Sequence, residues 1–465
     1  MIPGVIATQH SGEGKANQYF LRGFNLDHGT DFSATVDGVP VNMRTHGHGQ
    51  GYLDLNFIIP EIVERVEFRK GPYSAANGDF SAAGSSKFII RNRFDENFAE
   101  LTVGENNYVR GIAGASIELG EYDLLVAGEG QVYDGPWVLP EDLEKLNAVI
   151  KLTRQHETST LSLEFFAYDS SWTSTDQIPQ RAVDSGQIDR LGFIDGDLGG
   201  ETSRYSATVK GSLIHGDGST TSAQAYAVDY NFRLVSNFTY FLEDPVFGDE
   251  FVQRDQRQIY GGQITHDRPF QWGGRTGKLR FGADTRFDDI GDIGLFRSVG
   301  GVETSAVRQD KVEELSISTF AEVEVPLTDR LRATLGGRFD YYDATVDALT
   351  LAANGGSSDD TLFSPSVALA WRATDVLELY ANYGQGFHSN DVRGSTITID
   401  PVSGDPVEQV DLLVAAEGAE LGARWENGDL NATLSVFALE LDGELVFVGD
   451  AGTTEPNDAT RRYGV

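Results

Sequence analysis

The segment RTHGHGQGYLDLN, Arg44 to Asn56, places two histidines two residues apart in a glycine-rich stretch. Imidazole nitrogens bind zinc, copper, nickel and iron, so His46 and His48 are candidate metal ligands. A His-x-His pair gives two donors, whereas a zinc site takes three or four. His28, His388 and aspartates from other loops are candidates to complete one. A ligand-facing loop and an ordinary polar turn are the other two readings. Two further stretches carry suitable chemistry. SSWTSTDQIPQRAVDSG, residues 170–186, holds Trp172, Gln177 and Arg181, and GFHSNDVRGST, residues 386–396, holds His388, Asn390, Asp391 and Arg393. Aromatic and guanidinium groups hold an aromatic or anionic chelate by stacking and charge, or they tie one loop to its neighbour. IDGDLGG, residues 194–200, resembles the start of a calcium loop but lacks its closing Glu, so it reads as an acidic turn. His10, His156, His215 and His266 fall at turns or strand ends and are expected to be solvated. Serine-hydrolase, zinc-protease and nucleotide-loop motifs do not occur, and GHGQGY misses the dinucleotide spacing. No enzyme is expected, and no cofactor.

The elements that position these residues follow from composition and periodicity. The 465-residue chain has no cysteine, 53 glycines and 11% aromatics, with a formal net charge of −35. Thiolate metal sites and disulfides are excluded, and nucleic acid is an unsuitable partner for so acidic a chain. No apolar run reaches the length of a membrane-spanning helix, and MIPGVIATQH has no signal-peptide pattern. From about residue 98 the pattern has period two. In LRATLGGRFDYY, Leu331, Ala333, Leu335, Phe339 and Tyr341 share one face, and Arg332, Thr334, Arg338 and Asp340 the other. Roughly fifteen long antiparallel strands follow, with connections that alternate between short and long. Short turns are expected at 120–121, 156–158, 217–219, 328–329, 374–375 and 427–428. Long loops are expected near 134–144, 171–201, 233–255, 289–310, 347–360, 387–410 and 446–460. Such asymmetry fits a transmembrane barrel with one apolar and one polar wall face. Tyr341, Tyr342, Trp371, Tyr380, Tyr383 and Trp425 are candidates for its interfacial girdle. The first ninety-odd residues differ: short strands broken by DG, GP and NG turns indicate a small mixed domain.

In that domain YFLRGFN (19–25), ATVDGVPV (34–41), IPEIVERVEFRKGPYSAANG (59–78) and SAAGSSKFIIRN (81–92) occur in the order of a TonB-dependent receptor plug. LELYANYGQGF (377–387) and EGAELGARWENGDLNATLSVFALEL (417–441) are similar to the same family's barrel. The chain resembles TonB-dependent outer-membrane receptors over essentially its whole length. Ser85 and Ser86 depart from the glycine pair usual after the KGP turn. The resemblance implies an all-β antiparallel transmembrane barrel, incomplete in this chain, with an N-terminal α+β plug. Residues 1–93 are expected to be the plug and 94–465 the barrel. The family has about 22 strands, so the chain is read as a segment without signal peptide, TonB box, early plug or final strands.

The resemblance further implies a role. The loop after DGVPV faces outward at the plug apex, so Arg44, His46, His48, Gln50 and Tyr52 are expected to contact a ligand, with Trp172, Gln177, Arg181, His388 and Arg393 around them. Gly47, Gly49 and Gly51 would let the backbone approach it closely. The implied activity is TonB-coupled import of a scarce nutrient such as an iron siderophore, with zinc, a corrinoid or an oligosaccharide as other cargoes. The implied partners are the TonB–ExbB–ExbD complex, outer-membrane lipid and lipopolysaccharide, and the protein is expected to be a monomer in the bacterial outer membrane. Charges of the plug (Arg22, Glu64, Arg65, Glu67, Arg69, Lys70) are expected to meet lumen charges (Glu322, Glu324, Arg332, Arg338). Two rivals are a passive porin or adhesin-type barrel, which has no need of a folded plug, and a secreted β-rich carbohydrate-active protein. The second would need its outward Leu, Val and Ala side chains covered.

Overall fold

Asp37 and Gly38 both have positive φ, +46° and +92°, and the tight turn they make joins two short strands. These are β4 (Phe32–Val36) and β5 (Val39–Pro40), paired Thr35 to Pro40 and Val36 to Val39. The computed structural model describes residues 2–9, 12–26, 28–448 and 453–465. Before that hairpin, β1 (Ile6–Thr8), β2 (Gln18–Leu21) and β3 (Phe24–Asn25) form a three-stranded sheet. After it come β6 (Val63–Lys70) and β7 (Gly84–Ile90), giving a sheet in the order β5-β4-β7-β6 with β4 and β7 parallel. Among the described residues before β8, the helical content is one 3₁₀ turn at Pro60–Ile62.

The period-two segments build one 16-stranded antiparallel sheet. Its early strands are β8 (Phe98–Val103), β9 (Val109–Leu119), β10 (Tyr122–Tyr133), β11 (Leu143–His156) and β12 (Ser159–Thr173). Next come β13 (Gly199–Ile214), β14 (Thr220–Ser236), β15 (Phe251–Trp272), β16 (Arg275–Val299) and β17 (Val302–Pro326). The last sequential strands are β18 (Leu331–Ala348), β19 (Gly356–Arg372), β20 (Leu377–Ser389), β21 (Leu413–Asn427) and β22 (Leu430–Leu441). A hairpin of β23 (Glu444–Val448) and β24 (Thr453–Asn457) precedes β25 (Thr460–Gly464), which pairs with β22. All six short turns lie where the alternation breaks in the sequence. Residues 289–310 correct the expectation of a long loop there. β16 and β17 each run 25 residues, to a two-residue turn at Gly300 and Gly301, whose positive φ values suit a tight hairpin. Gly273 and Gly274 make another such turn that the alternation did not reveal. Residues 347–360 contract to a seven-residue link between β18 and β19. His10 and part of the 446–460 loop lie outside the described residues.

The two wall faces separate as their chemistry requires. Leu335 and Phe339 are 51% and 46% exposed on the outer face, while Arg338 and Asp340 on the inner face are 4% and 0% exposed. Polar inner residues are buried because the N-terminal sheets fill the lumen. Phe24, Leu26, Phe32, Leu53, Phe57 and Ile62 share one apolar cluster with wall residues Leu125, Val149, Phe166 and Leu439. Two of the girdle tyrosines are corrected. Tyr342 is buried inside with its hydroxyl on Arg44 and Asp79, and the Tyr380 hydroxyl donates to inner-face Glu420 at 2.9 Å.

The expected plug-to-wall charge pairing holds for Arg22, which pairs with Glu420. It does not hold for Arg65, which pairs with Glu64 and Glu67 on its own strand. The reason is sheet order: β6 is an edge strand and its side chains are largely exposed. Glu322 instead accepts from Ser74 Oγ and the Ala75 N–H, each at 2.8 Å, and Arg338 pairs with Asp284 and Asp340.

Candidate functional site

The histidine loop is shaped first by one amide. Asn42 accepts from the Ala34 N–H at 2.8 Å and donates to the carbonyls of Gly29, Phe32 and Gly51 at 3.0–3.2 Å. A buried amide with its capacity filled fixes where the loop leaves and returns. The loop closes through Met43 N–H to Tyr52 O at 2.9 Å and Gly51 N–H to Met43 O at 2.7 Å. Gly51 has φ +75°, and a Cβ there would stand 2.9 Å from Thr30 Cα, so glycine is required.

The wall then grips the loop's backbone. On β15, β16 and β17, Arg and Asp stand two apart on the lumen face: Asp255 with Arg257, Arg286 with Asp288, and Arg308 with Asp310. Period two puts both members of each pair on one face, where the aspartate neutralises and orients the guanidinium. The remaining donors reach the loop. Arg286 donates to Asn42 O at 2.8 Å, Arg257 donates to Thr45 O, and the Gly47 N–H donates to Asp255 at 3.1 Å. The Thr45 hydroxyl donates to Glu314. Arg44 lies buried between Asp79 (3.1 Å), Ser316 Oγ (2.9 Å) and the Tyr342 hydroxyl (2.9 Å).

The histidines are built into an aromatic cluster. His46 is 0% exposed and stacks on Tyr52, with centroids 4.2 Å apart and planes 8° from parallel. Its Nδ1 accepts the His48 N–H at 3.1 Å, so the ring proton sits on Nε2 and points to the Tyr230 hydroxyl, 3.1 Å away. Both ring nitrogens are therefore engaged. His48 Nδ1 lies 2.7 Å from Gln253 Oε1, and its ring is 4.7 Å from that of His28. Burial, and then neighbouring cations (Arg257 and Arg393 for His46, Lys15 for His48), hold both imidazoles well below the usual histidine range. At the loop's end, burial pushes the Asp54 carboxyl up to about 6.

A strap from the β20–β21 connection covers the loop. Residues 387–397 are buried, including the short helix α2 (Val392–Thr396). Gln50 donates to Asn390 Oδ1 at 3.2 Å and accepts the Asp391 N–H at 3.1 Å. The Val392 N–H donates to Thr45 Oγ1 at 2.9 Å, and Arg393 donates to His46 O at 3.2 Å. Asp391 holds the Arg393 guanidinium at 2.6 Å. His388 Nδ1 is 2.9 Å from Asp31.

The structure thus brings Arg44, His46, His48, Gln50, Tyr52, His388 and Arg393 into one buried network. Trp172 joins it from the side: it shares the Tyr52 and Phe232 cluster and packs against Gly12 and Gly14. Gln177 and Arg181 do not join it; they are exposed in the 174–198 connection, Arg181 on the short helix α1 (Gln180–Asp184). Asn42, Thr45, Tyr230, Phe232 and the Arg–Asp pairs were missed at the level of sequence. The repeated spacings DQR, RFD and RQD were the available signal. Among the described residues, the group whose side-chain donors close to within 4.8 Å is Asp195, Asp197 and Glu250, and it includes neither His46 nor His48. Asp195 accepts from Asn237 and Glu250 from the Gly301 N–H.

Comparison with known proteins agrees with this architecture. Residues 1–85 match the TonB-dependent receptor plug domain, and residues 149–465 match the TonB-dependent receptor-like β-barrel. The fold is similar to the ferric citrate transporter FecA in its unliganded form, with TM-score 0.76 at 16% identity, over 95% of this chain and 66% of that one. It is similar to the copper transporter OprC, with TM-score 0.76 at 16% identity, over 99% and 73%. It is also similar to the siderophore receptor PiuA from Acinetobacter baumannii, with TM-score 0.72 at 17% identity, over 95% and 69%. The chain thus spans about two-thirds to three-quarters of the length of these structures. With a plug hairpin gripped by a polar inner wall and family matches over most of its length, the chain belongs to the TonB-dependent receptors, a family of transport receptors.

Proposed function

We propose that this chain is the plug, residues 1–93, and much of the barrel, residues 94–465, of a ligand-gated importer in the bacterial outer membrane. Import is driven by the TonB–ExbB–ExbD complex, and the cargo is a scarce metal chelate such as an iron siderophore. Arg44, His46, His48, Gln50 and Tyr52 form the floor of the ligand site, Trp172, His388 and Arg393 its sides, and Gln177 and Arg181 its outer rim. The protein is a monomer surrounded by lipid and lipopolysaccharide, and it carries out no catalysis. The observation that carries this reading is the filled lumen. Guanidiniums of the wall hold the backbone of the apex loop, so nothing passes unless the strap lifts and the plug moves. Moving it breaks many buried polar contacts, which calls for an energy source. The apolar outer face, with Leu335 and Phe339 among many exposed side chains, suits lipid. The similar structures, a ferric citrate transporter, a copper transporter and a siderophore receptor, favour metal cargo. Zinc or a corrinoid is the second reading for the same site.

The test is uptake by cells expressing the full-length receptor, with and without TonB. The probes are ferric citrate, a ferric catecholate, copper, zinc and cobalamin. Saturable, TonB-dependent uptake of one probe is expected. Equal uptake without TonB would refute energy coupling.

A further inference from the structure

The KGP and DG turns of the plug meet the wall in two contrasting ways. On the β20–β21 side, backbone packs on backbone. A Cβ on Gly384 would lie 2.1 Å from Pro72 O, and Cβ atoms on Gly386 and Gly418 would lie 2.7 and 2.9 Å from the Pro72 ring. The KGP turn therefore sits flush on a glycine seam. Nearby, Ser74 and Ala75 are fastened to Glu322, and Asp79 accepts from the Ser389 N–H and hydroxyl at 2.7 Å. A small cavity of about 130 Å³ on that side is crossed by salt bridges from Glu378 to Arg332 at 2.9 Å and to Arg424 at 3.4 Å.

On the β12–β15 side the plug packs on wall aromatics, Tyr52 with Tyr230 and Phe232 and Phe57 with Phe166, and its DG turn is held by long polar side chains beside a larger cavity. Lys151 and Lys210 hold Asp37 of the DG turn at 2.6 and 3.0 Å, and both also pair with Glu164. Next to this cluster lies a cavity of about 210 Å³ lined by Thr160, Lys210, Ser212, Ser222, Gln224 and Thr265, with Gln263 beside them. Gly38, with φ +92°, abuts the Gln224 and Gln263 amides. The Gln224 amide nitrogen has no hydrogen-bond partner. Above the cavity the lumen face of β13 continues as Thr208, Ser206, Arg204 and Thr202, buried and polar at every second position.

We propose that cargo leaves the lumen along the β12–β15 wall, with the Asp37–Lys151–Lys210–Glu164 cluster as the latch on that route and the KGP turn on its glycine seam as the side that stays fixed. Releasing the latch lets the DG turn swing away from the cavity beside it. The opposite wall has no equivalent freedom, because a backbone contact cannot rotate aside as a lysine can. The proposal rests on the transport reading, but its test needs neither TonB nor the natural cargo.

The experiment is ion conductance of the full-length receptor in planar bilayers. The wild type is expected to stay closed, and Asp37→Asn to open a steady current. Adding Ser222→Cys should make most of that current susceptible to block by a negatively charged methanethiosulfonate reagent, whereas Thr334→Cys, in the smaller cavity, should not. Ala75→Cys/Gly336→Cys supplies the folding control. The Ala75 Cβ lies 3.1 Å from where a Cβ at residue 336 would stand, and once the Ser366 hydroxyl, 2.5 Å from that point, rotates aside, a disulfide there pins the fixed side. The current should survive that disulfide. No current from Asp37→Asn, equal block at Thr334→Cys, or a current abolished by the disulfide would each overturn the proposal. Failure of TonB-dependent uptake would instead strike the transport reading and leave the conductance result standing.

Discussion

Acid should loosen the histidine loop, and the structure fixes the sign. His46 is buried and neutral, with a proton affinity well below that of a free imidazole. In the opened loop it titrates near its ordinary value of about 6.5, so below that pH the open state binds more protons and stability falls. Between pH 7 and 5.5 this costs the closed loop about 1.2 kcal/mol for His46. His48 is held well below the usual range in the same way, and contributes about as much. Asp54 opposes them. Its carboxyl, pushed up to about 6, takes up protons in the closed state first, which returns about 0.8 kcal/mol over the same interval. The net is a loss of about 1.6 kcal/mol, or roughly fifteenfold more frequent opening. The assay is hydrogen–deuterium exchange of residues 42–52 in the full-length receptor in detergent, corrected for the intrinsic pH dependence of exchange. In His46→Asn/His48→Asn only the Asp54 contribution remains, so acid should then tighten the loop, by roughly fourfold. Unchanged or increased wild-type protection at pH 5.5, or a double variant that still loosens, would refute the reasoning.

Three further outcomes follow from the same contacts. Asn42→Ala leaves the Ala34 N–H and three carbonyls without their partner. It should weaken the loop by about 3 kcal/mol, read as faster proteolysis and exchange across residues 28–53. Asp391→Ala removes the carboxylate that holds the buried Arg393 guanidinium. It should cost about 3–5 kcal/mol locally and release the strap, seen as exchange in residues 387–397 while residues 280–290 of the wall stay protected. Zinc titration of the receptor should give the same weak response in the wild type and in His46→Ala/His48→Ala, because His46 already uses both ring nitrogens. A tight site lost in the double variant would mean that the loop rearranges to bind metal.

Much of this architecture was legible in local pattern. Alternation along segments such as Leu331 to Tyr342 gives strands with one apolar and one polar face, since successive side chains point opposite ways. The DG turn and the short connections follow from backbone freedom at single positions. Tertiary structure decided what alternation leaves open. Residues 289–310 became strand because neighbouring strands were long enough to pair with them. Tyr342 pairs inward with Arg44 because Arg44 arrives from a loop 298 residues away. The histidine loop shows the division most clearly. Its composition announced polar chemistry, but the partner of the His46 Nε2 proton, Tyr230, comes from the barrel wall, and the loop's burial depends on a strap more than 340 residues further on. Periodicity is a property of neighbours in sequence and can be read one segment at a time. Hydrogen-bond partnership and burial are properties of neighbours in space, and they exist only once the lumen has been filled.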